Sequence, residues 1–315
     1  MHIVLLESLA VSPEVLERHV APLRQMGHAF AAFERTEDIQ EQIQHAQDAD
    51  ILMLANMPLC GEVIRACPRL QYIDIAFTGV DHVDLQAAKA CGIKVSNASG
   101  YSNESVAEWT RGMMLSLLRN VPQTDRRCRE GGTKDGLVGG ELFGKTVGIV
   151  GTGAIGSRTA QLCRAFGCRI IAYNGFSHKQ RTDEITYLPL EQMLSQSDIV
   201  ALHCPLTEQS RQLIDAHALS CMKQSAYLIN AARGPVVDTQ ALSQALADGQ
   251  IAGAAIDVFE VEPPLPLDHP LLHAPNVIVT PHIAFATRES MQARAQIVFG
   301  NIHRYLAGQQ AHVIL

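Results

Sequence analysis

The 315-residue sequence has no C-x-x-C pair, although it carries eight cysteines. No histidine stands at zinc-ligand spacing from any of them, so the cysteines do not read as a metal or disulfide-exchange framework. Cys60, Cys67, Cys91, Cys128, Cys163, Cys168, Cys204 and Cys221 are scattered, several inside apolar patterns, as free buried thiols are. A reducing cytoplasm is the expected compartment. Basic runs are also missing, and the formal net charge is -7. Nucleic acid is therefore not an expected partner. No apolar stretch is long enough to cross a bilayer, so a membrane is not expected either. The opening "MHIVLLESLA" lacks a basic n-region and a cleavage-type site and reads as a first strand. Fixed-period repeats and low-complexity tracts are absent.

What is present is a large apolar fraction, 47%, with 18% charged residues. This suits a globular chain with a sizeable core, expected to form two domains. Short apolar runs at 2–7, 29–33, 50–54, 70–76 and 93–98 read as strands, with helix-length segments such as 13–27 between several of them. A helical stretch rich in Met and Leu covers 103–119, and a Gly-rich, charged segment at 128–145 reads as a surface loop. Alternation resumes with apolar runs at 146–150, 169–174, 198–203, 226–230, 251–258 and 276–282, and a last helix covers about 287–307. The expected fold class is α/β, with two Rossmann-like units, each a parallel sheet covered by helices.

The second unit opens on "TVGIVGTGAIG", a strand running into Gly151-x-Gly153-x-x-Gly156, followed by a helix and another strand. Gly151 permits the tight turn, Gly153 lets the backbone approach a pyrophosphate, and Gly156 lets helix and strand pack closely. The free N–H groups of the helix start, at Ala154, Ile155 and Gly156, are the expected pyrophosphate donors. The next strand ends at Asn174, where an acid would bind a ribose 2′-hydroxyl in the usual arrangement. Asn brings no charge to repel a 2′-phosphate. Just beyond stand Ser177, His178, Lys179 and Arg181, either phosphate partners or a solvated basic loop. The cofactor is expected to be NAD or NADP, with the choice open.

Three later segments each end a strand with an isolated polar group. "INAARGPVVD" holds Arg233, "AAIDVFEVEPP" holds Asp257 and Glu262, and "VIVTPHIAF" holds His282. Arg233 either closes a structural ion pair or receives an anion. Carboxyl ends of strands line the ligand crevice of an open α/β sheet. If the three segments share the fingerprint's sheet, Arg233, Glu262 and His282 converge there. Together they suit reduction of a 2-oxo acid. The histidine protonates the alkoxide, the carboxylate beside it favours imidazolium, and the guanidinium holds the substrate carboxylate and polarises the carbonyl. Asp81, His82 and Asp84 superficially suggest a metal site, but no carboxylate-rich partner segment completes it. No metal is expected, and Asp84 reads as a helix N-cap.

Over essentially its whole length the sequence resembles the D-isomer-specific 2-hydroxyacid dehydrogenase family. The motifs that carry the likeness are "GTGAIG", "HCPLTEQSRQLI", "LINAARGPVVDTQAL", "AAIDVFEVEPP" and "TPHIAFAT". The resemblance implies a catalytic trio of Arg233, Glu262 and His282, with Asp257 on the nicotinamide carboxamide and Pro205 edging the adenine site. It implies that backbone N–H groups of Thr78, Gly79 and Val80, in "FTGVDHVDL", meet the substrate carboxylate. The implied plan places residues 1–98 with 288–315 in a substrate-binding domain and inserts an NAD(P)-binding domain, 99–287. It also implies a homodimer built on the 103–119 helix. Asn174 departs from the Asp common in NAD-linked members. Related formate enzymes place Gln where Glu262 stands, which counts against formate; phosphite is not excluded in that way. The expected function is hydride transfer between a nicotinamide cofactor and a small, unphosphorylated 2-oxo or D-2-hydroxy acid. The alternative is a dinucleotide-sensing regulator of the same fold.

Overall fold

The computed structural model describes residues 1–175 and 185–315. The chain divides into two compact units, one formed by 1–102 with 286–315 and the other by 103–285.

In the first unit, β1 (His2–Leu5), β2 (Ala29–Ala32), β3 (Ile51–Leu54), β4 (Tyr72–Ile75) and β5 (Lys94–Asn97) form a parallel sheet in the order β2-β1-β3-β4-β5. All four residues of β3, and all four of β4, are buried. That is why β3 reads as one unbroken apolar run: a parallel sheet covered on both faces hides both sides of its inner strands. β4 breaks the run at Asp74, whose fully buried carboxyl accepts a hydrogen bond from Asn301 Nδ2 at 2.9 Å. Burial pushes this carboxyl well above the usual carboxylate range. Two covering helices have defined starts. Ser12 caps Pro13–Gln25, and Thr287 caps Arg288–Leu306, with Ser290 answering in a capping box. The latter helix buries Met291, Ala295, Val298, Phe299 and Ile302.

The second unit contains β6 (Thr146–Val150), β7 (Arg169–Tyr173), β8 (Thr186–Tyr187), β9 (Ile199–Leu202), β10 (Tyr227–Asn230), β11 (Gly253–Ile256) and β12 (Val277–Val279). They form one parallel sheet in the order β12-β11-β10-β9-β6-β7-β8. The chain leaves β6 toward β7 and β8, then crosses to β9 on the other side. This reversal makes the carboxyl ends of β6 and β9 the topological switch point, where ligands bind in such sheets. One difference from the sequence reading lies just before this sheet. The helix Asn103–Leu118 is followed by a second helix, Val121–Arg129, reaching into the segment read as loop. Asn120 breaks the two apart at φ 52, a left-handed conformation that Asn tolerates, and Pro122 sits in the new helix's first turn. Met114, on the inner face of the first helix, lies with its sulfur 3.7 Å from that of Cys163. Burial pushes the Cys163 and Cys204 thiols each up to about 12, so these cysteines are protonated packing groups.

Candidate active site

β6 ends at Val150, and Gly151 turns the chain at φ 90. A Cβ on Gly151 would lie 2.9 Å from the backbone of Cys204, which follows β9, and a Cβ on Gly156 would strike the Gly151 carbonyl. These two glycines therefore allow β6, the helix Ala154–Ala165 and the segment after β9 to meet backbone to backbone. Gly153 is the helix N-cap and supplies no side-chain cap. The first-turn N–H groups, at Ala154, Ile155 and Gly156, thus carry the uncompensated donors of a helix start. Gly151 N donates to Tyr173 O at 2.9 Å, which draws the turn against the end of β7, where the half-buried Asn174 follows. Pro205 O accepts from Ser210 Oγ at 2.6 Å, bracing the turn after β9. His203, behind the glycine turn, is held neutral: burial pushes its imidazole down to about 4, and among the described residues its Nε2 has no hydrogen-bond partner. A turn that admits backbone approach and ends in bare helix donors fits a dinucleotide pyrophosphate. Ser177, His178, Lys179 and Arg181 lie outside the described residues.

Arg233 stands three residues beyond β10. Asn230 shapes this segment from within, its Nδ2 donating to Arg233 O at 3.0 Å and its Oδ1 accepting from Ala232 N at 3.0 Å. Next to it, Gly234 presses against the backbone of Phe259 and Glu260 so closely that any Cβ would collide with the Phe259 carbonyl. That contact docks the Arg233 segment against the one carrying Glu262. The guanidinium Nη1 donates to Ala232 O at 2.8 Å.

Asp257 follows β11 and is fully buried. Its Oδ1 accepts from Thr280 Oγ1 at 2.6 Å and from Ile283 N at 2.9 Å, and its Oδ2 accepts from Ala284 N at 2.9 Å. Its carbonyl accepts from His282 N at 2.8 Å. Asp257 thus pins the loop after β12 on both sides of His282. His282 itself sits at φ 52, a left-handed conformation that costs roughly 1–2 kcal/mol for an L-residue. Those four hydrogen bonds offset the strain. Across the loop, His282 Nδ1 lies 2.9 Å from Oε1 and 2.9 Å from Oε2 of Glu262. Nδ1 therefore donates to the carboxylate, leaving Nε2 for other partners. Phe285 meets the imidazole edge to face, with centroids 5.3 Å apart. Thr280 was not singled out from the sequence, because nothing local pairs it with an aspartate on another strand.

In the other unit, Thr78, Gly79 and Val80 follow the carboxyl end of β4 and are half-buried. Asp84 caps the helix Leu85–Ala90, accepting from Ala87 N at 2.9 Å. Among the described residues no group of three or more His, Cys, Asp or Glu side chains is arranged to hold a metal ion. No described helix is long and apolar enough to cross a membrane.

A glycine turn at the switch point, and an imidazole–carboxylate pair at the same edge of one parallel sheet, define the nicotinamide-dependent dehydrogenase class. Comparison with known proteins agrees. The profile described as "D-isomer specific 2-hydroxyacid dehydrogenase, NAD binding domain" matches residues 111–284. A glyoxylate reductase of Thermofilum pendens is 41% identical over 282 residues, covering 86% of this chain and 82% of that protein. A hydroxypyruvate reductase of Blautia hydrogenotrophica is 32% identical over 326 residues, covering 100% of this chain and 99% of that one. The solved structure of an acyclic imino acid reductase, in complex with NADPH and D-Arg, superposes with a TM-score of 0.92 at 28% identity, covering 100% of both chains. The chain belongs to the D-isomer-specific 2-hydroxyacid dehydrogenase family and is an NAD(P)-dependent D-2-hydroxyacid dehydrogenase.

Proposed function

We propose that this enzyme reduces small, unphosphorylated 2-oxo acids to D-2-hydroxy acids, with His282 as general acid, Glu262 as its electrostatic partner and Arg233 as the carboxylate and carbonyl anchor. The observation that carries the reading is the His282–Glu262 pair, closed at 2.9 Å through Nδ1, which assigns the transferable proton to Nε2. In this reading the segment 99–287 binds NAD(P) and residues 1–98 with 288–315 bind the acid. Gly151, Gly153, Ala154, Ile155 and Gly156 receive the pyrophosphate, Asn174 the adenosine ribose, and the turn at Pro205 the adenine. The nicotinamide, when bound, supplies or accepts the hydride.

The chain's own groups do the rest. Arg233 pairs its planar fork with the substrate carboxylate and polarises the carbonyl oxygen. Backbone N–H groups of Thr78, Gly79 and Val80 are assigned to the substrate carboxylate. His282 Nε2 delivers the proton to the developing alkoxide, and Glu262 stabilises the imidazolium that waits to deliver it. A carboxylate offers about four acceptor sites. Asp257 spends three within the protein, which leaves one on Oδ2 for the nicotinamide carboxamide.

The test is turnover on a panel holding glyoxylate, hydroxypyruvate, pyruvate and branched or aromatic 2-oxo acids, set beside cofactor binding alone. Cofactor binding with no turnover on any acid would leave a dinucleotide-sensing regulator as the better account. Because Asn174 brings no charge against a 2′-phosphate, NADPH is expected to be used within about two orders of magnitude of NADH, a window of roughly 3 kcal/mol. Kinetics with both cofactors at matched substrate check this, and a wider gap would assign the discrimination to other groups.

We also propose a homodimer. Val121, Val138 and Phe143, in and after the two helices that open the second unit, are 47%, 83% and 75% exposed, and Phe166, which ends the helix Ala154–Ala165, is 40% exposed. A second copy covering them removes that surface from water. Light scattering is expected to give twice the chain mass, and Phe143→Asp is expected to lower it toward the monomer.

A further inference from the structure

We propose that Asn97 is a positioning residue that aims the Gly79 N–H at the substrate carboxylate. This rests on the reading above that the 78–80 backbone receives that carboxylate.

Asn97 closes β5 and is 6% exposed. All four of its polar groups are engaged. Nδ2 donates to Thr78 O at 2.7 Å, and Oδ1 accepts from Ser99 N at 3.2 Å. The backbone N donates to His312 O at 3.1 Å, and the backbone O accepts from Asn301 Nδ2 at 3.0 Å. One residue on, Ala98 N donates to Phe77 O at 3.0 Å. The ends of the neighbouring strands β4 and β5 are therefore stitched at two successive carbonyls, and the second stitch is made by a side chain.

The consequence follows from the peptide plane. In a trans peptide the C=O and the next N–H point in opposite directions. With the Thr78 carbonyl turned inward to Asn97, the Gly79 N–H is turned outward. No hydrogen bond among the described residues takes up the N–H of Gly79 or Val80. Gly79 is also the position at which the chain rotates most freely. Without the Asn97 donor no hydrogen bond among the described residues holds the Thr78 carbonyl, and the outward donor is lost for part of the time. The sequence marks none of this: Asn97 and Thr78 meet only because β5 lies beside β4.

Asn97→Asp keeps the side-chain volume and the acceptor for Ser99 N, but it exchanges the donor to Thr78 for an oxygen and adds a charge. A hydrogen bond to a charged group is strong enough that its loss is expected to raise KM for glyoxylate, hydroxypyruvate and pyruvate alike by about 10–100-fold. Turnover should stay within about threefold, and NADH and NADPH dissociation constants and the pH profile of reduction should not move. Asn97→Ala removes the same donor without adding a charge, so an equal rise in KM there separates the lost hydrogen bond from repulsion of the substrate anion. A KM within twofold of wild type in a folded variant overturns the proposal, and so does an equal loss in cofactor binding and turnover. If neither variant folds, hydrogen exchange on the wild type decides. The Gly79 and Val80 amides should exchange fast and become protected when oxamate is added with NADH; no protection overturns it. A wild type that turns over none of the acids is a failure of the functional reading instead.

Discussion

Arg233→Ala is expected to raise the Michaelis constant for the 2-oxo acid and to lower turnover at once, a combined loss of ~3 kcal/mol or more in kcat/KM. The double effect follows from the two jobs assigned to one guanidinium. Holding the carboxylate is common to the ground and transition states, whereas the charge on the carbonyl oxygen grows only as the hydride arrives. Folding should survive. The local backbone is shaped by Asn230 and by the close approach of Gly234 to Phe259, and neither uses the Arg233 side chain. Arg233→Lys keeps the charge but loses the fork, so it should recover only part of the loss. Steady-state kinetics, thermal melting and cofactor titration on both variants check this. Near-normal kcat/KM in folded Arg233→Ala would remove the residue from the site.

The acid–base pair carries the second large effect. His282→Asn suits the backbone, because Asn tolerates the left-handed φ of 52 found there, and it removes the group proposed to donate the proton. General acid–base catalysis contributes about 10²–10⁴-fold, and a loss on that scale is expected. Direction of reaction sets the pH dependence. Reduction needs the imidazolium, so it should fall as pH rises; oxidation needs the neutral ring, so it should rise over the same interval. Glu262→Gln keeps the shape and removes the charge 2.9 Å from Nδ1. The imidazole then loses its charged neighbour, and kcat/KM for reduction is expected to fall. Profiles of kcat/KM in both directions, for wild type and both variants, are the data required. An unchanged kcat/KM in Glu262→Gln would mean that the two residues are not coupled and that Glu262 is only a rim charge.

Much of this was legible in the sequence because it is local. Parallel strands buried on both faces favour continuous apolar runs, so β3 and β9 announce themselves. Gly151 and Gly156 stand where a Cβ would meet backbone, which only glycine allows, so the dinucleotide turn is written in residue types and spacing. Isolated polar residues just past strand ends marked Arg233, Asp257 and His282, since the end of a strand is where a parallel sheet meets its ligand.

What only the tertiary structure decided depends on neighbours far apart in the chain. The strand order places β10, β11 and β12 side by side, and so puts those three strand ends on one edge. Asp257 is joined to Thr280, Ile283 and Ala284, 23 to 27 residues away, and it holds His282 in a backbone conformation that no motif reveals. Asn97 reaches Thr78 from the end of the neighbouring strand, and Asn120 starts a second helix, Val121–Arg129, just beyond the expected one. Residue type and period report what a segment buries. Which polar groups it then meets is set by the register and order of strands, because a hydrogen bond requires a partner about 3 Å away and sequence spacing does not measure that distance.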